Sequence, residues 1–430
     1  MYKKFPNLDD ITTNFDYNNL QNNINSINED YLYPSIDNLI NVFIENYYYA
    51  FIDTNFNIHL MNNINDIIFP TLQELNNTVN ILFNYNDIKP IIVDRINDFY
   101  NNLGVPHRQQ PFTTELLPCN YEHNKNQIEY LTSLQQSEQK SETWHIERSN
   151  KLTASNIWKA IDTEASINSL IVEKCRTYTP IPLNINSPKH HGEKYEPLSV
   201  IYYEYTYNTK IGEFGFIDHK YYKFLGASPD GIIIDSSSNL FGRMIEIKNI
   251  VNREINGIPK KEYWTQMQIQ MEVCDLDYCD FLETEFKEYL NEEEFLNDGT
   301  FKKTKDGFQK GIFIKFNNTD GTPFYQYPPW NIGEEKFNEW EIQIMEKYSQ
   351  LTWVQNFYWK LIKVSLVTIT RNHFWYNSCH DKFKKVHAII QKEKISGYEH
   401  RLPKKRVAKT TTKNTNKNVE DKVIITIDTN

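Results

Sequence analysis

The amino-acid sequence predicts an α/β fold, in which helices flank a mixed central sheet and a mainly helical segment precedes it. From about residue 126 to 395, helix-like and strand-like runs alternate along the chain. Residues 1–125 instead contain helix-like runs separated by Asn- and Asp-rich turns. The 430 residues are enough for two or three domains, each with its own core. We therefore predict a helical accessory domain at 1–125, an α/β domain at 126–395 and a basic, disordered tail at 396–430.

The first segment has two clear helical patterns. Residues 35–52 form an apolar run with helical spacing, and residues 89–104 have a Pro near the start and a Gly at the end. No chemistry can be assigned to residues 1–125, so docking or packing is the expected role.

The second segment supplies the elements of the predicted sheet. Residues 169–175 extend a helix, and residues 334–362 resemble a long amphipathic helix with a break. Further helices are predicted at 153–161, 191–206 and 262–274, a three-strand meander at 210–219, 223–234 and 243–250, and another strand at 310–316.

Charge and cysteine content restrict the function. The net charge of −10 argues against a protein that coats nucleic acid by bulk attraction, but it is compatible with acidic metal ligands beside a local basic channel. The five cysteines are scattered, odd in number and without zinc-binding spacing, which favours a reducing compartment. No apolar run is long enough to span a membrane and the N-terminus lacks a signal-peptide core, so we expect a soluble, intracellular protein without a membrane partner.

The tail carries a cluster of basic residues. Residues 401–418 contain seven Lys or Arg and no acid. Such a polar, basic stretch is typical of disorder. Attachment to DNA, nuclear import and simple solubilisation all remain open for it.

The stretch 226–249, GASPDGIIIDSSSNLFGRMIEIKN, carries the clearest chemistry. Alternation in a strand places Glu246 and Lys248 on one face, with Ile245 and Ile247 on the other. If the strand after Asp230 pairs antiparallel with this one, the Asp230 and Glu246 carboxylates lie side by side. Two such carboxylates repel each other, and a divalent cation removes that penalty.

This donor set predicts the metal and the reaction. Hard oxygen ligands select Mg²⁺ or Mn²⁺ over zinc. The ammonium of Lys248 would steady the attacking water or the charge that develops on a phosphate. A cation, a water and an ammonium in one cleft suit phosphodiester hydrolysis. An isolated Glu-x-Lys triplet is more often a solvated strand face, so the order of the surrounding motifs matters.

Five motifs follow one another in the second segment. They are WHIERSNKLTASNIWKAI (144–161), GEKYE (192–196), SPDG (228–231), EIK (246–248) and YWTQMQIQ (263–270). In this order they resemble the YqaJ-type viral recombinases, which are similar to phage lambda exonuclease within the PD-(D/E)xK nuclease superfamily. The resemblance covers residues 140–290 well and the chain to about 395 loosely. It implies a restriction-endonuclease-like core.

The resemblance also implies roles for the metal site. Asp230 and Glu246 would bind the metal, with the Ile247 carbonyl as a third oxygen. Glu196 would reach a second metal position or its water, and Lys248 would orient the attacking water.

Two further roles follow from the resemblance. Gln266 would hold Lys248 or the scissile phosphate, with Gln268 the weaker candidate. Arg148 and Ser155, seven residues apart, would bind a 5′-terminal phosphate, with Ser155 at a helix N-terminus.

Simpler structural roles compete with these assignments. Glu196 could pair with Lys194 or Lys223 at the surface, and Arg148 could be an ordinary surface residue. The glutamines could form a polar stripe, in which Gln266 and Gln270 share a helix face and Gln268 points elsewhere. His190 and His191 have no third ligand at suitable spacing, so we expect loop residues there.

The sequence thus predicts a Mg²⁺- or Mn²⁺-dependent deoxyribonuclease that digests linear duplex DNA from a 5′ end. Viral recombination, repair or genome processing is the expected setting, in the host cytoplasm or nucleus. A single-strand annealing protein and further copies of the chain are the expected partners besides double-stranded DNA. The alternatives are a structure-dependent endonuclease of the same superfamily, a non-catalytic DNA-binding scaffold on a nuclease fold, and a virion structural component.

Overall fold

The computed structural model describes residues 29–79, 85–102, 105–179 and 183–403. The predicted basic tail therefore lies outside the described residues from position 404 onward. Among the helices of the described part, none is both long and apolar enough to cross a membrane. All five cysteines are described, and all are free thiols.

Three helices make up the described N-terminal segment: α1 (Glu29–Tyr47), α2 (Phe56–Val79) and α3 (Tyr85–Asn102). Apolar side chains of α1 at helical spacing, Ile36, Ile40 and Phe43, are fully or almost fully buried between these helices. The helical pattern predicted at 35–52 is confirmed as far as Tyr47, after which Tyr48–Ile52 continues as a 3₁₀ helix.

This segment is joined to the loop that follows the predicted metal-site strand. The buried Arg108 guanidinium donates a hydrogen bond to the Pro259 carbonyl over 2.6 Å, and the Gln109 amide donates to the Gly257 carbonyl over 2.7 Å. The indole N–H of Trp264 donates in turn to the Arg108 carbonyl. Residues 108 and 109 therefore hold the loop at 250–260 in place by hydrogen bonds to its carbonyl groups.

An eight-stranded mixed sheet forms the centre of the second segment, and a three-stranded sheet lies beside it. The large sheet has the order β10-β9-β11-β8-β7-β6-β3, with β1 also paired to β11, and the small sheet has the order β2-β5-β4. The strands are β1 (Gln110–Pro111), β2 (Leu152–Thr153), β3 (Ile211–Gly212), β4 (Ile217–Asp218), β5 (Leu225–Ala227), β6 (Gly231–Ile233), β7 (Met244–Asn249), β8 (Tyr278–Glu288), β9 (Lys310–Asn317), β10 (Pro323–Gln326) and β11 (Thr352–Thr370).

The mixed character of the large sheet comes from one pair of strands. Strands β7 and β8 run parallel, and every other pairing in this sheet is antiparallel. A parallel pair needs a crossover connection, which a helix provides here. The predicted α/β class is confirmed.

Helices cover both sheets and carry much of the site. They are α4 (Tyr121–Ser133), α5 (Glu142–Ser149), α6 (Glu164–Cys175), α7 (Pro188–Tyr207), α8 (Lys261–Cys274), α9 (Glu292–Asn297), α10 (Glu334–Lys347) and α11 (His373–Ser396). Helix α7 packs on β7, and α8 is the crossover between β7 and β8. The helices predicted at 169–175, 191–206 and 262–274 are thereby confirmed.

The long helix predicted at 334–362 is wrong in its second half. Helix α10 ends at Lys347, and the 19-residue strand β11 begins at Thr352. Aromatic and β-branched side chains dominate that stretch, and it pairs with both β8 and β9. Two neighbouring strands therefore overrule its weak helical periodicity.

Two other predictions need correction. Residues 153–161 form the end of β2 and a 3₁₀ helix (Ile157–Ile161) instead of an α-helix, because β2 pairs with β5. The meander predicted at 210–250 is five short strands divided between the two sheets. Pro229 separates β5 from β6, so the chain leaves the small sheet and enters the large one at this point.

Candidate active site

The hairpin of β6 and β7 brings Asp230 next to Glu246. Gly231 pairs with Ile245, so Asp230 lies immediately before the paired segment. Its Oδ2 accepts a hydrogen bond from the N–H of Ile247 over 2.7 Å. A Cβ on Gly231 would lie 2.2 Å from the Ile211 side chain, which explains the glycine after the acid. The antiparallel pairing predicted from sequence is confirmed.

Glu246 is a fully buried acid with two polar partners. It forms an ion pair with the ammonium of Lys248, which lies on the same face of β7. Its Oε2 accepts a hydrogen bond from the Gln270 amide over 2.7 Å. Ile245 and Ile247 face the opposite way, into an apolar cluster. Strand alternation therefore separates the charged face of β7 from its core face, as predicted.

Glu196 approaches the same point from helix α7. It is half-buried and close enough to interact with Asp230, Glu246 and Lys248. The alternative pairing with Lys194 is not formed, since Lys194 forms its ion pair with Glu288. A helix and a hairpin thus bring three carboxylates close enough to interact electrostatically.

Burial and the neighbouring charges raise the pKa values of two of these carboxyl groups, Asp230 and Glu196. Burial, and then repulsion from Glu246 and Glu196, raises the pKa of Asp230 well above its usual range. Burial also raises the pKa of Glu196, although the ammonium groups of Lys140 and Lys248 oppose that shift. Burial disfavours the charged form of Lys248, but the attraction of Glu246 and Asp230 outweighs it and raises the pKa of the ammonium.

These residues fit a hard divalent cation. Within the described parts of the chain, no three His, Cys, Asp or Glu side chains already surround one point as ligands do. Asp230 and Glu246, however, offer carboxylate oxygens that repel each other, and a cation between them would offset that repulsion. Ile247 also lines the cleft, so its carbonyl is near enough to be considered as a further oxygen donor. Oxygen-only donors match Mg²⁺ or Mn²⁺.

The glutamines of α8 divide between three environments. Gln266 is half-buried and lines the cleft, as its predicted role requires. Gln268 points away, donating to the Thr370 carbonyl and accepting from the N–H of Asn372. Gln270 is the glutamine that contacts Glu246, over 2.7 Å. Sequence reasoning placed Gln270 on the Gln266 face but gave it no role, although the i, i+4 spacing was a usable signal.

Arg148 and Ser155 meet at one end of the cleft. An Arg148 Nη2 atom donates to the Ser155 hydroxyl over 2.8 Å, and the guanidinium lies 4.2 Å from the Trp144 ring centroid. No carboxylate lies within ion-pair distance of Arg148 among the residues that the structure describes. Burial lowers its pKa to about 10, with a partial opposing effect from Glu173. A cation without a counter-ion is suited to binding an anion.

Two residues of this pocket were not identified from sequence. The Trp144 indole N–H donates to the Ser228 hydroxyl over 2.9 Å and links the pocket to the loop before Asp230.

Ser155 precedes a 3₁₀ helix of five residues instead of the predicted α-helix. The α-helix N-terminus predicted at Ser155 is therefore absent, and any anion contacts would come from the side chains of Arg148 and Ser155.

The site opens into a locally basic cleft of about 740 Å³. Six cationic and three acidic side chains line it, in a chain whose net charge is −10. The acids are Glu193, Glu196 and Asp230, and the cations are Lys140, Arg148, Lys189, Lys248, Arg253 and Lys260. A basic cleft attracts phosphate locally despite the total charge. Sequence reasoning missed Lys140, Lys189, Arg253 and Lys260, which come from three separate segments.

The two histidines before the GEKYE motif lie in the first turn of α7, so the expectation of a loop there is wrong. Ser187 caps this helix by accepting from the N–H of His190, and Pro188 occupies its first position. The His190 Nε2 atom lies 2.7 Å from the Tyr325 hydroxyl. This histidine therefore has a structural partner outside the site.

Comparisons with known proteins agree with the motifs. A sequence model of the YqaJ-like viral recombinase domain matches residues 143–277, which contain all the predicted site residues, so the predicted resemblance is confirmed over this range. The uncharacterized protein R354 of Acanthamoeba polyphaga mimivirus is 28% identical over an alignment length of 326, and the match covers 64% of this chain and 59% of the relative. The match thus spans about three fifths of that relative's length.

Two solved structures are also similar to parts of the chain. LHK-Exo in complex with dAMP is 20% identical with a TM-score of 0.34, and the match covers 59% of this chain and 94% of that one. The alkaline exonuclease LHK-Exo from Laribacter hongkongensis, in a second structure, is 19% identical with a TM-score of 0.32, with 60% and 95% covered.

Proposed function

We propose that the chain is a Mg²⁺- or Mn²⁺-dependent deoxyribonuclease that digests linear duplex DNA from a 5′ end, in viral recombination, repair or genome processing. One observation carries the proposal. Asp230 and Lys248 line a basic cleft, with Glu246 buried behind them and paired with Lys248, and Arg148 and Ser155 line the same cleft.

The carboxylates would hold the metal, and the cleft would hold the DNA. Asp230 and Glu246, with the Ile247 carbonyl, would bind a cation, and Glu196 would serve a second position or its water. When bound, the cation supplies charge neutralisation at the phosphate and a nucleophile drawn from water. Lys248, which is paired with Glu246 in the structure, would orient the attacking water and offset charge on the phosphate oxygens.

Lys248 and Gln270 contact different oxygens of Glu246. The Lys248 ammonium is paired with one oxygen, and the Gln270 amide donates a hydrogen bond to the other. With a cation held by Asp230 and Glu246, Glu246 would not depend on Lys248 for its counter-charge, and the ammonium would be available to the phosphate. Gln270 would keep the Glu246 carboxylate oriented.

Linear and covalently closed circular duplexes test the mode of cleavage. With Mg²⁺, the purified protein is expected to release nucleotides progressively from a linear duplex and to leave a closed circle of the same sequence intact. A time course with end-labelled DNA measures both. Cleavage of the closed circle at a comparable rate would favour an endonuclease, and absence of cleavage on both substrates would favour the non-catalytic scaffold.

The terminal phosphate is expected to matter through Arg148. Digestion should be faster for 5′-phosphorylated ends than for 5′-hydroxyl ends. Arg148→Ala should reduce the ratio of these two rates by about 10-fold or more, because one charge-assisted contact to phosphate is lost. Initial rates on the two substrates measure the ratio. Arg176→Ala, on a nearby arginine outside the cleft lining, is the matched control. Equal rates on both ends in the wild-type protein would remove this role from Arg148 and Ser155.

A further inference from the structure

Four consecutive exposed residues form the tip of the hairpin that joins β4 to β5. They are Lys220, Tyr221, Tyr222 and Lys223, and the Tyr221 side chain is 74% exposed. The Lys220 ammonium lies 5.5 Å from the centroids of the Tyr130 and Tyr221 rings. Two lysines therefore flank two aromatic rings at a position that projects into solvent.

A buried histidine holds this tip in place. The Nδ1 atom of His219 accepts hydrogen bonds from the N–H groups of Tyr221 and Tyr222, over 3.1 and 3.0 Å. The imidazole proton therefore lies on Nε2, which faces Glu272 at 3.6 Å. The Tyr222 ring lies 4.2 Å from the His380 ring of α11. The backbone that carries Tyr221 is thus held in place before any ligand arrives, which lowers the entropic cost of binding.

Helix α11 continues the positive charge from the hairpin. Lys384 lies one turn after His380 and acts on its charge. None of the exposed lysines of this helix has a carboxylate within ion-pair distance in the part of the chain that the structure describes. These lysines are Lys382, Lys384, Lys385 and Lys392. Of the two acids of the helix, Glu393 is paired with Arg401, which leaves Asp381 as the exposed one.

The same helix leads back to the cleft. The Lys394 ammonium donates to the Asn150 side chain over 2.9 Å. Asn150 lies two residues after Arg148, which lines the cleft. His387, between Lys394 and Lys384, lies 5.5 Å from the Phe224 ring at the base of the hairpin. Two lysines, Lys394 and Lys384, therefore lie on the side of α11 that faces the hairpin and Asn150.

We propose that the hairpin tip at 220–223 and the exposed lysines of α11 form a second nucleic-acid site, which binds single-stranded DNA. A base would stack on Tyr221, and Lys220, Lys223 and Lys384 would contact phosphates. Exposed aromatic rings among lysines match a single strand, because duplex DNA keeps its base faces stacked inside the helix. The choice of this ligand rests on the proposed function, since digestion of one strand leaves its complement unpaired.

Binding of a short oligonucleotide tests the site directly. The probe is a fluorescein-labelled oligothymidylate of about 20 nucleotides. It is longer than the roughly 4–16 nucleotides that one single-strand-binding domain typically contacts. It carries no 5′-phosphate, and divalent metal is left out. Tyr221→Ala is expected to raise the Kd by roughly 5- to 100-fold, which is the effect of one lost stacking contact. Tyr221→Phe keeps the ring and should retain the affinity.

Matched controls separate stacking from general damage. Tyr205 on α7 is 55% exposed and contacts Asn331, so Tyr205→Ala should leave the Kd unchanged. The double variant Lys220→Gln, Lys384→Gln should reduce the slope of log Kd against log salt by about 1.4, at about 0.7 per phosphate contact. An unchanged Kd in Tyr221→Ala would overturn the proposal. An equal loss for a blunt duplex would overturn the preference for a single strand.

The outcome is separable from that of the proposed nuclease. Tyr221→Ala should digest a short linear duplex at the wild-type rate, because Tyr221 lies outside the cleft lining. If the wild-type protein cuts no DNA but binds the oligonucleotide through Tyr221, the nuclease proposal fails and the second site stands. If it cuts DNA while Tyr221→Ala and wild type bind the oligonucleotide equally, the second site fails alone.

Discussion

Lys248→Ala is expected to reduce Mg²⁺-dependent digestion of linear duplex DNA by about 10²- to 10³-fold, the typical effect of removing one group that stabilises transition-state charge. Its ammonium is the cation nearest to Glu246 and is held in the charged form. Glu246→Ala should have at least as large an effect, because it also removes a metal ligand. Release of acid-soluble nucleotides at saturating Mg²⁺ measures both rates.

Lys189→Ala is the matched control for this experiment. Lys189 lines the same cleft, but its side chain is 81% exposed and its nearest acid, Glu193, lies 3.6 Å away. Only a small change in rate is expected, since a solvated ammonium contributes little. Thermal unfolding of each variant checks that the fold persists. Substantial activity in both Lys248→Ala and Glu246→Ala, within about tenfold of wild type, would show that hydrolysis takes place elsewhere.

Asp230→Asn is expected to stabilise the metal-free protein and to remove its stabilisation by Mg²⁺ or Mn²⁺. An asparagine can still accept from the N–H of Ile247, and its amide could donate to Glu246 where the aspartate repels it. The melting temperature without metal should rise by about 2–4 °C, which corresponds to about 1 kcal/mol in a domain of this size. Addition of metal should then raise it only in the wild-type protein.

The pH dependence of this difference follows from the raised pKa of Asp230. Because burial and the neighbouring carboxylates raise that pKa in the folded state, the folded protein binds more protons than the unfolded chain above the ordinary aspartate value near 4. Wild-type stability is therefore lost as the pH rises through this window, whereas the asparagine side chain of the variant does not titrate. The difference in melting temperature should grow with pH.

Asp235→Asn is the control for a carboxylate of opposite character. Asp235 lies in the loop between β6 and β7, and hydrogen bonds from Ser237 lower its pKa. Its replacement should produce no gain in melting temperature and no change in the response to metal. A lower melting temperature in Asp230→Asn together with an intact metal response would contradict the view that carboxylate repulsion is relieved by a cation.

Much of the site could be predicted because its chemistry is local in sequence. Strand alternation alone separates Glu246 and Lys248 from Ile245 and Ile247, since successive side chains point to opposite faces. The helices predicted at 191–206 and 262–274 lie within the observed helices at 188–207 and 261–274. Antiparallel pairing across the loop at 234–243 then places Asp230 beside Glu246.

Long-range contacts decided what sequence reasoning could not. Residues 352–370 became a strand because β8 and β9 pair with it on both sides, and no pattern within the segment encodes those partners. The Trp144–Ser228 contact joins residues 84 positions apart, and the loop at 250–260 owes its support to Arg108, about 150 positions earlier. Likewise, Gln270 instead of Gln266 contacts Glu246 because of how α8 lies across β7.

The amino-acid sequence specified which groups could perform the chemistry, because charge, strand alternation and helix spacing are properties of neighbouring residues. Only the folded chain set the depth at which those groups lie and the residues that surround them. Burial and the nearby carboxylates raise the pKa of Asp230. The distances in the fold leave Arg148 without a counter-ion among the described residues, and the fold leaves the Tyr221 side chain exposed. These effects depend on residues far apart in the sequence, so no local pattern could reveal them.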